Sequence, residues 1–450
     1  MTILNRLFKN IDNRTAVARK NILFSFSLKG ISIIISFLLV PLTIDYLDVN
    51  EYGIWLTLSS LLIWINFFDI GLSNGLRNKL AESLAEKDYL LARKYVSTAF
   101  ILLSIIMFVF FILFFIANKF LYWDKILNTD ISQRETLNNL VLIVFAFFCL
   151  QFVFKTVGTI LIANQQPAYN DLLNVLGNLL SLIIIYIFTK TSRPGSLSGV
   201  AITFSASPLL VFVLAYFVLF YGKYSYLRPT FSFVDFKYTK TLMGLGVQFF
   251  IIQLAVCIVV YSSTNIILTQ LFGGESVTQY NIAYKYFNVL SMIYIIIITP
   301  FWTAATDAYI KKDLDWIFIS LKKLIRIYLL SIPITFIMIL FSNIFYKLWV
   351  GDKVIIPLSL SIAVAIYILL FNWSNTFIYF INGIGKIKLQ LYTTVIVAIL
   401  YIPVAIIAGK MFGVTGVVIA SSLSLLPTSI LMPIQCKKLY SGKANGIWNK

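Results

Sequence analysis

Three lysines lie inside stretches that otherwise have the composition of membrane-spanning helices. They are Lys29, Lys155 and Lys285. A lysine at the centre of such a helix costs roughly 2.5 to 3.5 kcal/mol on insertion scales, and a cation at this depth commonly marks a substrate or ion path. The alternative is that each side chain snorkels to the lipid headgroups. Three lysines together favour a path for an anionic group.

The composition predicts the class of protein that must position these lysines. Hydrophobic residues make up 60% of the chain, charged residues 12%, and the mean hydropathy is +0.89, which excludes a soluble domain. Hydropathy predicts about twelve spans, near 21–44, 52–74, 96–118, 138–163, 171–189, 196–221, 242–270, 277–304, 324–346, 356–382, 391–409 and 413–435. We therefore predict an all-α polytopic membrane protein.

The net charge of +18 follows the predicted topology. Lys and Arg concentrate in the N-terminal segment 1–20, the linker 222–241, the tail 437–450 and the other loops on the same side, which predicts that both termini are cytoplasmic. The first apolar stretch is too long for a cleaved signal peptide. The charge is therefore not expected to bind nucleic acid. Its main role is expected to be in setting topology, although the same face would suit anionic headgroups.

Several chemistries are excluded by residue type. The chain has no histidine, and Cys149, Cys257 and Cys436 lack the paired spacing of disulfides or zinc ribbons. No nucleotide-binding P-loop is present, so ATP hydrolysis by this chain is not expected. We predict no metal site, no cofactor and no enzymatic activity.

The two halves of the sequence resemble each other. Aligning Tyr52 with Tyr280 gives an offset of about 228 residues and brings Asp88 within three residues of the counterpart of Asp313. Six predicted spans separate the copies, so both halves have one orientation and form a parallel repeat about an axis normal to the membrane. This predicts an N-terminal lobe at 21–221 and a C-terminal lobe at 242–436.

Polar residues follow helical spacing within several spans, as in the series Asn66, Asp69, Ser73 and Arg77. One interpretation is a shared polar cavity, and the other is hydrogen bonding between helices without a cavity. The residues predicted to line a cavity are Ser25, Ser32, Asn66, Asn174, Asn178, Asn281, Asn288, Asn372 and Asn375.

Depth along each span predicts roles for the charged residues. Lys29 and Lys155 lie roughly 12 Å from the cytoplasmic ends of their spans, whereas Lys285 lies at a similar depth from the outer face. We expect the three lysines to contact the charged part of a substrate. Asp69 and Arg77 are predicted at the cytoplasmic entrance, where Asp69 pairs with Lys29 or Arg77 or forms a plain salt bridge.

Two segments resemble a known family. The run EYGIWLTLSSLLIWINFFDIGLSNGLRNKLAE (Glu51 to Glu82) is similar to the first hairpin of polysaccharide flippases of the multidrug, oligosaccharidyl-lipid and polysaccharide exporter superfamily. The run GGESVTQYNIAYKYFNVL (Gly273 to Leu290) resembles the corresponding second-half hairpin. The resemblance implies two six-helix lobes in a V, with a cationic central cavity. Asp48 to Asn50 depart from the family's glycine-containing approach, and lysines replace its cavity arginines.

The resemblance implies a flippase of the bacterial inner membrane that moves an undecaprenyl-pyrophosphate-linked oligosaccharide repeat outward, by alternating access, for O-antigen or capsule synthesis. A polysaccharide polymerase is then a candidate partner, and a proton or sodium ion a candidate coupling ion. Alternatives are a drug exporter or a lipid II flippase of the same superfamily. A polytopic glycosyltransferase or ligase is disfavoured because the predicted outer loops are about 20 residues or fewer.

Overall fold

A computed structural model describes residues 13–62, 72–164, 166–191, 195–243, 263–310 and 312–449. Longer helices, two short α-helices (Trp123–Ile126 and Thr239–Met243) and short 3₁₀ turns account for the regular structure of these residues. The longer helices are α1 (Asn13–Tyr46), α2 (Val49–Leu62), α3 (Leu72–Ala85), α4 (Tyr89–Asn118), α5 (Arg134–Phe154), α6 (Thr156–Ala163), α7 (Pro167–Thr191), α8 (Leu197–Phe220), α9 (Ser263–Phe272), α10 (Gly274–Ile310), α11 (Leu314–Val350), α12 (Leu358–Ile384) and α13 (Lys388–Tyr440). The predicted all-α polytopic class is confirmed.

The helices follow the predicted spans closely. Within the described residues, nine helical stretches are long and apolar enough to cross a bilayer. The longest, α13, contains the last two predicted spans, which meet at Gly413, where φ is 64° and the backbone is not helical. Parts of the predicted spans 52–74 and 242–270 lie outside the described residues. The chain is a multi-pass membrane protein.

The helices pack into two compact units. The first contains the described parts of residues 1–48, 65–124 and 130–250, and the second those of 49–64, 125–129 and 251–450. In the first unit α1 packs on α7 and α8 packs on α5 and α7; in the second, α12 packs on α10, α11 and α13. Helix α2 packs against α10 in the second unit. The lobe boundaries at 21–221 and 242–436 stay a prediction.

Two turns of the same conformation start α4 and α11. Lys87 and Lys312 adopt φ values of 61° and 59°, and the next residue is an aspartate that caps the following helix. The Asp88 carboxylate accepts from the Leu91 N–H at 2.9 Å, and that of Asp313 from the Trp316 N–H at 3.0 Å. Each cap satisfies a backbone donor that the helix leaves unpaired.

Candidate functional site

Lys285 lies on α10, a continuous helix that begins at Gly274. At a rise of 1.5 Å per residue, it is about 17 Å along the axis from that end. Its side chain is half-buried, and no acidic residue in the described part of the chain forms an ion pair with it. Asn281 and Asn288 lie one turn away on either side, and both are half-buried. Lys285 is thus a cation that, among the described residues, has no ion-pair partner, and an anionic group could contact it.

Asn281 takes part in helix packing. Its Nδ2 donates to Asn265 Oδ1 on α9 at 3.0 Å and to the Val277 carbonyl oxygen at 2.8 Å. The hydroxyls of Thr57 on α2 and Thr269 on α9 are 2.6 Å apart, both buried. Hydrogen bonds of this kind hold helices together where the surroundings are apolar. For Asn281 the structure therefore shows the interhelical bonding that the sequence left as one of two interpretations.

The glycines of the two flippase-like segments meet where α2 and α10 cross. A Cβ added to Gly53 would lie 1.8 Å from the Gly274 carbonyl oxygen, and one added to Gly274 would lie 2.4 Å from the Asn50 carbonyl oxygen. Thr278 Oγ1 donates to the Val49 carbonyl oxygen at 2.7 Å beside this crossing. Only residues without a side chain allow so close an approach of two backbones. The sequence contained both glycines, but the contact could not be inferred from it.

Lys155 lies between α5, which ends at Phe154, and α6, which begins at Thr156. Its backbone stays in the right-handed helical region, and its N–H donates to the Gln151 carbonyl oxygen at 2.8 Å. The two helices therefore form one continuous stretch of 33 residues, Ile131–Ala163, as the predicted span requires. The Lys155 carbonyl oxygen accepts from the Gly158 N–H, three residues on, at 2.9 Å, and the Lys155 side chain is exposed.

Lys29 lies on α1 with an exposed side chain, and within the described residues it forms no ion pair. The neighbouring Leu28 and Ile35 are buried in a core shared with α7, and Lys29 lies beside this buried face of α1, roughly 100° around the helix axis from it. Ser32 is half-buried. Lys29 and Lys155 belong to the first unit and Lys285 to the second.

The other residues predicted to line the cavity or its entrance differ in how deeply they are buried. Asn174 and Asn178 are half-buried on α7, and Asn174 Nδ2 donates within its own helix to the Asn170 carbonyl oxygen at 2.9 Å. Arg77 is exposed on α3. Asn66 and Asp69 lie outside the described residues, as does the side chain of Ser25.

The second unit contains a small cavity between α12 and the two halves of α13. Its volume is about 140 Å³, and the polar lining residues are Ser374, Asn375, Gln390, Thr394, Ser424 and Thr428. Asn375 thus faces a cavity, whereas Asn372 is 1% exposed and neither its Nδ2 nor its Oδ1 has a hydrogen-bond partner among the described residues. Ser424 and Thr428 lie four residues apart, and this helical spacing was the available signal for the lining.

Buried hydroxyls extend this polar interior. The hydroxyl of Tyr294 on α10 hydrogen-bonds with that of Thr376 on α12. The hydroxyl oxygens of Ser374 on α12 and Ser429 on α13 are 2.8 Å apart. No cluster of three or more metal-ligating acidic or cysteine side chains occurs in the described ranges. Lysine ammonium groups such as that of Lys285 bind phosphate as point charges.

The architecture is that of a known class of membrane transporter. A solved structure described as the inward-facing conformation of a multidrug resistance MATE family transporter of the MOP superfamily matches with a TM-score of 0.71. It is 17% identical and covers 91% of this chain and 98% of that chain. An outward-facing structure of a MATE family transporter of the same superfamily matches with a TM-score of 0.64. It is 17% identical and covers 97% of this chain and 98% of that chain. At this identity the match shows the fold.

Sequence comparison then gives the family. The chain belongs to the polysaccharide biosynthesis protein family, whose model matches residues 18–302. It is 22% identical to a putative O-antigen export protein of Yersinia pseudotuberculosis over 80% of this chain and 81% of that protein. The resemblance to polysaccharide proteins that the sequence suggested is confirmed at the level of this family, and the fold is confirmed by the solved structures.

Proposed function

We propose that this protein moves an undecaprenyl-pyrophosphate-linked oligosaccharide repeat from the cytoplasmic to the outer leaflet of a bacterial inner membrane. The polymer built from it would be O-antigen or capsule. The observation that carries the proposal is Lys285, a half-buried cation without an ion-pair partner among the described residues, set in an apolar helix. A pyrophosphate group is an anion that would offset the cost of this charge.

In the proposed mechanism the polyprenyl tail stays in the bilayer while the pyrophosphate and sugars pass along a polar path. Lys29 and Lys155 receive the pyrophosphate from the cytoplasmic side, and Lys285 receives it nearer the outer side. Alternating access opens the path to one side at a time. Outward movement of negative charge down an inside-negative potential gains about 2.3 kcal/mol per charge per 100 mV.

The proposal includes the predicted topology, with both termini cytoplasmic and the lobes at 21–221 and 242–436. A polymerase on the outer side would consume the delivered repeat. A coupling proton or sodium ion, acting at Asp69 or elsewhere, stays part of the proposal, as do Asp69 and Arg77 as residues of the cytoplasmic entrance.

The test is translocation by the purified protein in proteoliposomes. A fluorescent undecaprenyl-pyrophosphate-linked oligosaccharide is placed in the membrane, and a membrane-impermeant quencher reports how much is accessible with time. We expect protein-dependent translocation of this substrate, little of lipid II and none of a cationic drug, since lysines repel cations. No protein-dependent change for the lipid-linked oligosaccharide, or faster transport of the drug, would contradict the proposal.

A further inference from the structure

The segment that follows α8 forms a folded unit with an aromatic and basic surface. Residues 221–240 contain three 3₁₀ turns, Ser225–Leu227, Phe231–Phe233 and Phe236–Tyr238. Tyr224 and Leu227 are buried in the core of the first unit, and the Tyr224 hydroxyl donates to Gln166 Oε1 at 3.0 Å. The predicted linker is therefore anchored in the first unit by its own side chains.

Side chains of helix α4 hold the rest of the segment by hydrogen bonds to the segment's backbone. Arg93 Nε donates to the Arg228 carbonyl oxygen at 3.1 Å, and the Thr230 N–H donates to Ser97 Oγ at 3.2 Å. Thr98 Oγ1 accepts from the Asp235 N–H at 3.0 Å and donates to the Asp235 carbonyl oxygen at 3.4 Å. These bonds fix the outward-facing side chains in place.

The outward-facing side combines large apolar side chains with cations. Phe231 is 81% exposed and Phe236 is 56% exposed, which leaves substantial apolar area without a protein partner in the described chain. The basic residues of the segment are Lys223, Arg228, Lys237 and Lys240, and its one acidic residue is Asp235. Lys237 Nζ lies 2.9 Å from Asp235 Oδ2 and holds the pKa of that carboxyl below its ordinary value. The surface is nevertheless net positive, because four cations outnumber this one carboxylate.

The position of the segment in the chain limits what can cover this surface. It joins α8, which ends at Phe220, to the predicted span that begins near residue 242, so both of its ends lie at the membrane surface. Aromatic rings at that level enter the headgroup region, and lysines and arginines there attract anionic lipids. A lipid surface satisfies both the apolar area and the charge.

We propose that residues 221–240 form a binding surface for anionic phospholipid, with Phe231 and Phe236 inserted at the acyl boundary and the basic side chains on the lipid phosphates. This lipid is distinct from the transported substrate, and the proposal does not depend on which substrate is moved. The surface would anchor the first unit to one leaflet.

The test measures lipid binding to the purified full-length protein by native mass spectrometry. The protein is titrated with dioleoylphosphatidylglycerol or with dioleoylphosphatidylcholine. The double variant Lys237→Gln/Lys240→Gln should weaken phosphatidylglycerol binding by about fivefold per lysine, with little effect on phosphatidylcholine. The variant Phe231→Ser/Phe236→Ser should weaken binding of both lipids.

The matched control is Lys347→Gln. Lys347 is 70% exposed and pairs with Asp352 at 3.2 Å, much as the 65% exposed Lys237 pairs with Asp235. All variants sit on exposed positions, and unchanged thermal unfolding checks that each is folded. Equal phosphatidylglycerol affinity in the lysine double variant and the control would overturn the proposal. Full displacement of the lipid by inorganic phosphate would also overturn it, since the site would then recognise free phosphate.

Discussion

The turn that starts α4 and the turn that starts α11 have the same backbone and the same cap, although their sequences differ. In both, a lysine in the left-handed region precedes an aspartate whose N–H donates at 2.9 Å, to the carbonyl oxygen of Ser83 in one turn and of Ala308 in the other. Asp88 and Asp313 are 225 residues apart. This turn and its cap thus recur at a spacing of 225 residues.

The intramembrane lysines do not follow the repeat. At a spacing of 225, the counterpart of Lys285 is Ser60, which is buried and donates to the Thr57 carbonyl oxygen at 2.7 Å. The counterpart of Lys155 is Phe380, fully buried within the continuous helix α12. One half therefore has an exposed lysine where the other keeps a packed aromatic ring. The turns recur at this spacing, whereas the lysines do not.

The largest expected effect comes from placing a lysine in the half that lacks it. Phe380→Lys would put a cation into an apolar core, and we expect a loss of roughly 3 kcal/mol of stability and a large drop in protein level. Phe380→Leu is the control and should cost less than about 1.5 kcal/mol. Thermal unfolding of the purified variants checks both. A Phe380→Lys protein as stable as the unchanged protein would show that position 380 tolerates a lysine as position 155 does.

The reciprocal change removes the lysine from the other half. Lys155→Phe should leave the protein folded and inserted, because the side chain is exposed, but should reduce glycan export. Quantifying surface glycan against protein level in the same cells separates the two effects. Unchanged export would assign Lys155 to the lipid headgroups instead of the path.

The next effect concerns the crossing of α2 and α10. Gly53→Ala would force the two backbones apart, and overpacking of this kind costs about 1 to 3 kcal/mol. Gly30→Ala is the matched control on α1, because a Cβ there would have nothing within 4 Å. The measurement is the thermal unfolding of each variant. Equal stability of the two would mean that the close crossing does not hold the helices together.

The sequence alignment of Tyr52 with Tyr280 gives an offset three residues larger than the spacing of the two turns. Tyr52 and Tyr280 are both buried aromatic residues, so they align by residue type. Helical spacing likewise identified the polar face of α10. The residues that contact this face come from other helices, and the sequence of α10 does not show which they are. Asn281 meets Asn265, from another helix, and no local pattern shows such a partner.

The smallest effect tests the repeated turns directly. Asp88→Ala and Asp313→Ala each remove a helix cap, and each should lower the free energy of unfolding by about 1 kcal/mol. The loss should be similar in the two halves. Asp88→Asn and Asp313→Asn keep an acceptor at the cap and should cost little. Thermal unfolding of the four variants provides the comparison. A loss confined to one half would show that the turns share a shape without sharing a role.

The most direct test of the central claim compares Lys285 with its counterpart Ser60. Export is measured as surface glycan in cells that lack their own exporter and carry Lys285→Ala, Lys285→Arg or Ser60→Ala. Loss of a charge-assisted contact of about 1.5 to 3 kcal/mol predicts roughly tenfold or greater loss of export for Lys285→Ala at normal protein level. Lys285→Arg and Ser60→Ala should keep most of it. Wild-type export by Lys285→Ala would contradict the claim that this lysine binds the transported anion.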